Sequence, residues 1–103
     1  MSKGYHTTWR IPDDHRESLT YIEAGAAIAL GQAVYDRRIE LGIDRGELAR
    51  RADMNTADIE HIEGGATVPT LRLLRTLAEA LDAKLDLSID PEETHVEFTP
   101  HPA

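Results

Sequence analysis

Residues 44–65, "DRGELARRADMNTADIEHIEGG", carry two short helical patterns joined by a turn, and their reading decides the fold. Asp44 stands where an N-cap carboxylate accepts a free backbone N–H, and Glu47, three residues on, has the spacing of a capping box. Leu48, Ala49 and Ala52 form the buried side of this first helix. A turn at "DMN" follows. Asn55 then caps a second helix in which Ile59 and Ile62 face inward, and Gly64-Gly65 end it.

Upstream, "SLTYIEAGAAIALGQAVYDRRIELG" (18–42) places Ile22, Ala26, Leu30, Ala33, Val34 and Leu41 at helical spacings. Gly25 and Gly31 each cost about 1 kcal/mol relative to alanine inside a helix. They predict either a break near Gly25, giving a pair of helices, or close packing against another helix. Gly42 is the stop, in a position that tolerates positive φ. Downstream, Thr70 caps a helix with Leu71, Leu74, Ala78 and Leu81 on one stripe. Leu73 and Leu77 widen that stripe beyond one contact surface, so both are expected at a partner subunit. "KLDLSID" (84–90) and "THVEFT" (94–99) alternate apolar and polar residues around "PEE" and predict a hairpin. Leu85 and Leu87 are its expected partner contacts, because a lone hairpin is marginal in water and needs helices or another chain against it.

A chain of 103 residues suits one domain. Without cysteine it has no disulfide, thiolate metal site or cysteine nucleophile. No apolar run approaches the roughly 20 residues that span a bilayer, which points to a cytoplasmic protein. The net charge of −8 opposes non-specific attraction to nucleic acid. Its distribution is uneven, with −1 over residues 1–35, −3 over 36–83 and −4 over 84–103. An acidic end of this kind suits either a basic partner protein or plain solvation.

Helix, tight turn, capped helix, glycine stop, proline and leucine-rich helix follow one another across "RRIELGIDRGELARRADMNTADIEHIEGGATVPTLRLLRTLAEAL" (37–81). In this order the stretch resembles the helix-turn-helix of phage repressors and XRE-like regulators. Leu48-Ala49, Ala52, Met54, Ile59, Ile62, Glu63, Gly65, Pro69, Leu74, Ala78 and Leu81 occupy that family's characteristic positions. The resemblance implies a mainly α fold, a five-helix bundle like that of lambda repressor, with an extra N-terminal helix and a short C-terminal β hairpin. It divides the chain into an arm over 1–12, a helical domain over 13–83 and a β segment with an acidic tail over 84–103.

The resemblance also implies a docking geometry in which the helix from Thr56 to Glu63 lies in a major groove. Asn55, Thr56, Ala57 and His61 then face base edges, with Asp58 at the margin. Arg45 and Thr67 contact phosphate, Arg45 in place of the family's usual glutamine. The loop "GGATVPT" lacks the lysines and arginines that often clamp phosphate there. Glu63 is expected to pair with Arg38 in a structural role. Asp58 is the stronger electrostatic objection to DNA and Glu60 the weaker, since Glu60 is expected to point sideways.

Enzyme chemistry has no foothold. The sequence lacks a phosphate-binding glycine loop, a nucleophile elbow and a zinc-protease helix, and its five histidines are scattered, so no cofactor or metal is expected. Within the family, "PTLRLLRTLAEALDAKLDLSIDP" is similar to antitoxins of the host-inhibition type. That likeness implies a homodimer that represses its own operon and masks a small basic ribonuclease toxin. A stand-alone regulator and a protein-interaction module with a degenerate reading helix are the alternatives.

Overall fold

In the computed structural model, residues 5–10 and 19–101 are described, with side-chain surroundings from residue 22 to residue 101. The order of elements is β1 (Tyr5–Arg10), α1 (Leu19–Leu41), α2 (Arg45–Ala52), α3 (Thr56–Glu63), α4 (Leu71–Ala80), β2 (Ala83–Ile89) and β3 (Glu93–Pro100).

The described residues hold four helices rather than five, and there is no separate N-terminal helix within residues 19–41. Helix α1 runs unbroken for 23 residues through both glycines. The reason is close packing. A Cβ on Gly31 would be driven into the backbone carbonyl of Ile62 and would lie 2.9 Å from that of Glu63. Only glycine lets α1 approach α3 so closely, and the contact outweighs its poor helix propensity. Gly42 (φ 71°) ends α1 in the left-handed conformation, its N–H donating to the Ile39 carbonyl at 3.0 Å.

Between α2 and α3 the chain turns on Asp53, also left-handed at φ 57°, while the Met54 N–H returns to the Ala49 carbonyl at 2.9 Å. Asp44, Asn55 and Thr70 are N-caps, each accepting from the backbone N–H three residues on. Asp44 has no reciprocal partner in Glu47, whose carboxylate turns instead to Arg50 and Arg51.

The core gathers Leu30, Val34, Leu48, Ile59, Leu77, Leu81, Val96 and Phe98 from every helix and from β3. Leu77 has no exposed surface, which corrects its expected place at a partner contact; it closes the helical core against its own chain. Leu73 and Leu85 are half-buried against the same core, while Leu87 is exposed.

The strands form an antiparallel sheet in the order β1-β3-β2. The N-terminal arm therefore contributes a strand, pairing Tyr5 with Phe98 through Arg10 with Glu93. A third strand supplies the support that a two-stranded hairpin lacks. Much of the expected acidic tail lies within β2 and β3, where Asp86 and Glu97 are cross-strand partners.

Arg37, almost wholly buried, ties the helical and β parts together. Its Nε donates to the Leu81 carbonyl and its Nη2 to the Asp82 carbonyl, both at 3.0 Å, and Nη1 pairs with Glu40. A guanidinium here satisfies carbonyls left free at the end of α4 and complements the dipole. Thr94 carries the opposite signature. Its hydroxyl is buried and has no hydrogen-bond partner among the described residues.

Candidate nucleic-acid interface

Helix α3 has two unlike sides. Ile59 and Ile62 are buried, whereas Thr56, Ala57, Asp58, Glu60 and His61 are all exposed. At 100° per residue, Ala57 and His61 stand opposite the buried pair, Thr56 and Glu60 lie on one flank, and Asp58 lies on the other. No described residue covers this outer side.

The local chemistry at the start of α3 assigns Asp58 a role that spacing alone left open. Asn55 Oδ1 accepts from the Asp58 N–H at 2.9 Å, and Asp58 Oδ2 accepts from the Asn55 N–H at 3.3 Å. This reciprocal pair is a capping box, with the carboxylate also favoured by the helix dipole. Asp58 is thus engaged with its own backbone. The Glu60 side chain makes no hydrogen bond or ion pair among the described residues, so it, rather than Asp58, is the free carboxylate on the outer side.

Behind α3 lies a small ionic cluster. Glu63, buried to 2 % of its side chain, accepts from Arg38 Nε at 2.7 Å and Nη2 at 3.2 Å, and from Arg45 Nε at 3.0 Å. Arg38 also donates to the Ile43 carbonyl at 3.0 Å and stacks over the Tyr35 ring, 5.3 Å from its centroid. The hydrogen bond to Glu63 holds the Arg38 guanidinium above its ordinary pKa, against an opposing cost of burial. One carboxylate between two guanidinia leaves a single net positive charge. Arg45 is the member of the cluster that reaches solvent, with 44 % of its side chain exposed.

A second cluster follows on α2. Glu47 binds both Arg50 and Arg51, and the hydrogen bond from Arg50, then that from Arg51, lowers its pKa from 4.5 to about 2. It too leaves one positive charge. Further cations were missed in reading the sequence: Arg72, in the first turn of α4, and Arg75 are exposed and without ion-pair partners among the described residues. The basic residues absent from the loop over 64–70 thus follow it on the next helix. The signal was present, since a capping Thr70 fixes Arg72 within one turn of the helix start.

Thr67 is half-buried and lines a shallow cleft with Met54, Asp58, His61, Ile62 and Leu73. The structure thus brings Thr67, Asp58 and His61 together beside α3, and puts Arg45 at the far end of the same helix, next to Glu63. Leu73 borders this cleft, whereas Leu85 and Leu87 lie beyond α4. Among the described residues no group of three histidines or carboxylates is arranged to hold a metal ion, and no helix is long and apolar enough to cross a membrane.

The family model described as a helix-turn-helix domain matches residues 29–88. Among solved structures, the restriction-modification controller protein C.AhdI from Aeromonas hydrophila superposes with a TM-score of 0.55 at 23 % identity, covering 67 % of this chain and 91 % of that one, a likeness of fold. No curated protein matches the chain.

Proposed function

From the premise that the chain belongs to the helix-turn-helix domain family, we propose that it is a sequence-specific DNA-binding transcriptional repressor that acts as a homodimer on a two-fold operator. The observation that carries this reading is the solvent-open outer side of α3, where Ala57 and His61 stand opposite Ile59 and Ile62 and Thr56 is exposed on the flank. Small and polar side chains on a rigid, doubly capped helix suit the edges of bases. Asn55 and Thr67 flank that surface, and Arg45 provides a phosphate contact held in place by Glu63.

Each subunit offers few unpaired cations. Salt dependence should therefore be shallow, because its slope follows the number of phosphates neutralised, and two subunits are needed for firm binding. Footprinting on the DNA upstream of the chain's own gene tests the reading. A protected two-fold site supports it, and protection that is absent at every site or indifferent to sequence refutes it. Arg45→Ala should weaken binding to all sequences alike, whereas Thr56→Ala and His61→Ala should change which sequence is preferred.

The narrower role we propose is that of an antitoxin, which represses its own operon and neutralises a small basic ribonuclease toxin. The surplus of nineteen acidic over eleven basic residues supports it, since opposite charge speeds encounter and favours the right partner. Co-purification with a short basic protein from a neighbouring reading frame is the test. One observation favours a second reading: the free carboxylate of Glu60 beside Ala57 suits a protein-interaction surface better than DNA. Glu60→Gln separates the two, since it should strengthen operator binding if α3 reads DNA and leave it unchanged otherwise.

A further inference from the structure

Strand β2 closes the sheet on the side away from β1. Among the described residues its backbone is paired with a strand on one side only, and the hairpin fixes which residues face outward. The Asp90 N–H donates to the Glu93 carbonyl at 3.0 Å, which makes these two a hydrogen-bonded pair. The register continues through Ser88 with His95, Asp86 with Glu97 and Lys84 with Thr99. Because bonded and non-bonded pairs alternate in an antiparallel ladder, Leu85, Leu87 and Ile89 direct their N–H and C=O groups to the open edge.

Edges of this kind invite another strand, and proteins usually blunt them with prolines, bulges or covering loops. Strand β2 has no proline and an unbroken register. Its exposed apolar side chains, Leu87 and Ile89, continue into Val68 and Leu71 across one groove. Leu71 is 83 % exposed and Ile89 63 %.

We propose that a second copy of this chain docks here, its β2 antiparallel to the first about a two-fold axis at Leu87, so that the two sheets join into one of six strands. The inference rests on the dimer read above and adds where the two subunits meet. The strand is complementary to itself in one register. An axis normal to the sheet keeps the apolar faces together and can pass through Leu85, Asp86, Leu87 or Ser88, of which Ser88 sets Asp86 against Asp90, acid against acid. Centring on Asp86 sets two carboxylates directly opposite, in the closer, non-bonded kind of pair, and is unfavourable. Centring on Leu85 leaves Ile89, the most exposed side chain of the strand, outside the pairing. Centring on Leu87 sets Leu85 against the partner's Ile89, Leu87 against its own copy, Asp86 against Ser88 and Lys84 against Asp90. Apolar then meets apolar, and base meets acid.

Because the chain has no cysteine, single-cysteine variants report the register without background. Full-length Leu85→Cys, Asp86→Cys and Leu87→Cys proteins, mildly oxidised without DNA, would be compared on non-reducing gels alongside sedimentation of the unmodified chain. The expected result is a dimer mass, with Leu87→Cys cross-linking first, because Cα atoms about 5.5 Å apart in such a pair fall within disulfide reach. Leu87→Lys should weaken the dimer about a hundred-fold by removing the burial of two leucines and opposing two ammonium groups. Mixing it with Leu87→Glu should restore association. Faster cross-linking at position 85 or 86 overturns the register. A dimer indifferent to all these variants overturns the edge while leaving the dimer itself, and a monomer mass overturns both; footprinting judges the DNA reading independently.

Discussion

Replacing Glu63 by alanine removes the anion on which Arg38 and Arg45 converge, and the structure says how the loss divides between them. Arg45 has 44 % of its side chain in solvent and can turn to water, so its share is that of an exposed pair, about 0.2–1 kcal/mol. Arg38 cannot. With 8 % of its side chain exposed, it would keep only the Ile43 carbonyl and the face of Tyr35. A charge stranded in this way typically costs about 3–5 kcal/mol. Domains of this size have about 5–15 kcal/mol in total, and each kcal/mol moves the midpoint by about 4–8 °C, so Glu63→Ala should melt roughly 12–40 °C lower. Glu63→Gln keeps the shape but only one acceptor oxygen, since its NH2 cannot accept from either arginine, and Arg38 stays without an anion, so it should lose nearly as much. Arg38→Met with Glu63→Leu removes both charges and should recover most of the stability. Urea unfolding followed by helical circular dichroism gives all three values. A loss below about 1 kcal/mol for Glu63→Ala, or a double variant no more stable than the single one, would refute the reasoning.

Gly31→Ala sets two effects against each other: about 1 kcal/mol gained in helix propensity and a Cβ forced into the α3 backbone. Backbone cannot step aside as a side chain can, so the variant should be less stable by about 1–3 kcal/mol in the same urea assay. Thr94→Val removes a buried hydroxyl that has no partner among the described residues and should stabilise by about 1–2 kcal/mol, read as a higher thermal midpoint. Glu47 has a folded pKa below its unfolded one, so what it adds to stability is complete above 4.5 and is lost as the pH falls toward about 2. An NMR titration of its carboxyl should show a midpoint near 2, returning toward 4.5 in the Arg50→Gln, Arg51→Gln double variant.

Features governed by nearest neighbours were legible in the sequence. The caps at Asp44, Asn55 and Thr70 follow from side-chain chemistry acting over three residues, and the inward pair Ile59 and Ile62 follows from helical period. The contact between Arg38 and Glu63 spans 25 positions and entered only through the family resemblance. What was not legible depended on partners distant in the chain. The glycines of α1 left a break near Gly25 and close packing both open, because nothing local reveals that α3 lies against Gly31. Leu77 was set at a partner surface because a wide apolar stripe does not say whether the cover is another chain or, as here, the molecule's own core. The pairing of residues 5–10 with β3 depends on a strand more than eighty positions away. At the candidate interface, residue types and their exposure were legible, but the charge of Asp58 and its place at the margin say nothing of its bond to the Asn55 backbone. Its spacing from Asn55 already matched a capping carboxylate.

The most direct test is to determine the preferred DNA sequence of the unmodified chain by selection from random duplexes, then repeat the selection with Thr56→Ala and His61→Ala proteins of equal stability. If the outer side of α3 reads base edges, each variant relaxes or alters the preference at particular positions of the site while the rest of the motif persists. Recovery of one identical motif from all three proteins, or of no motif from any, contradicts the account.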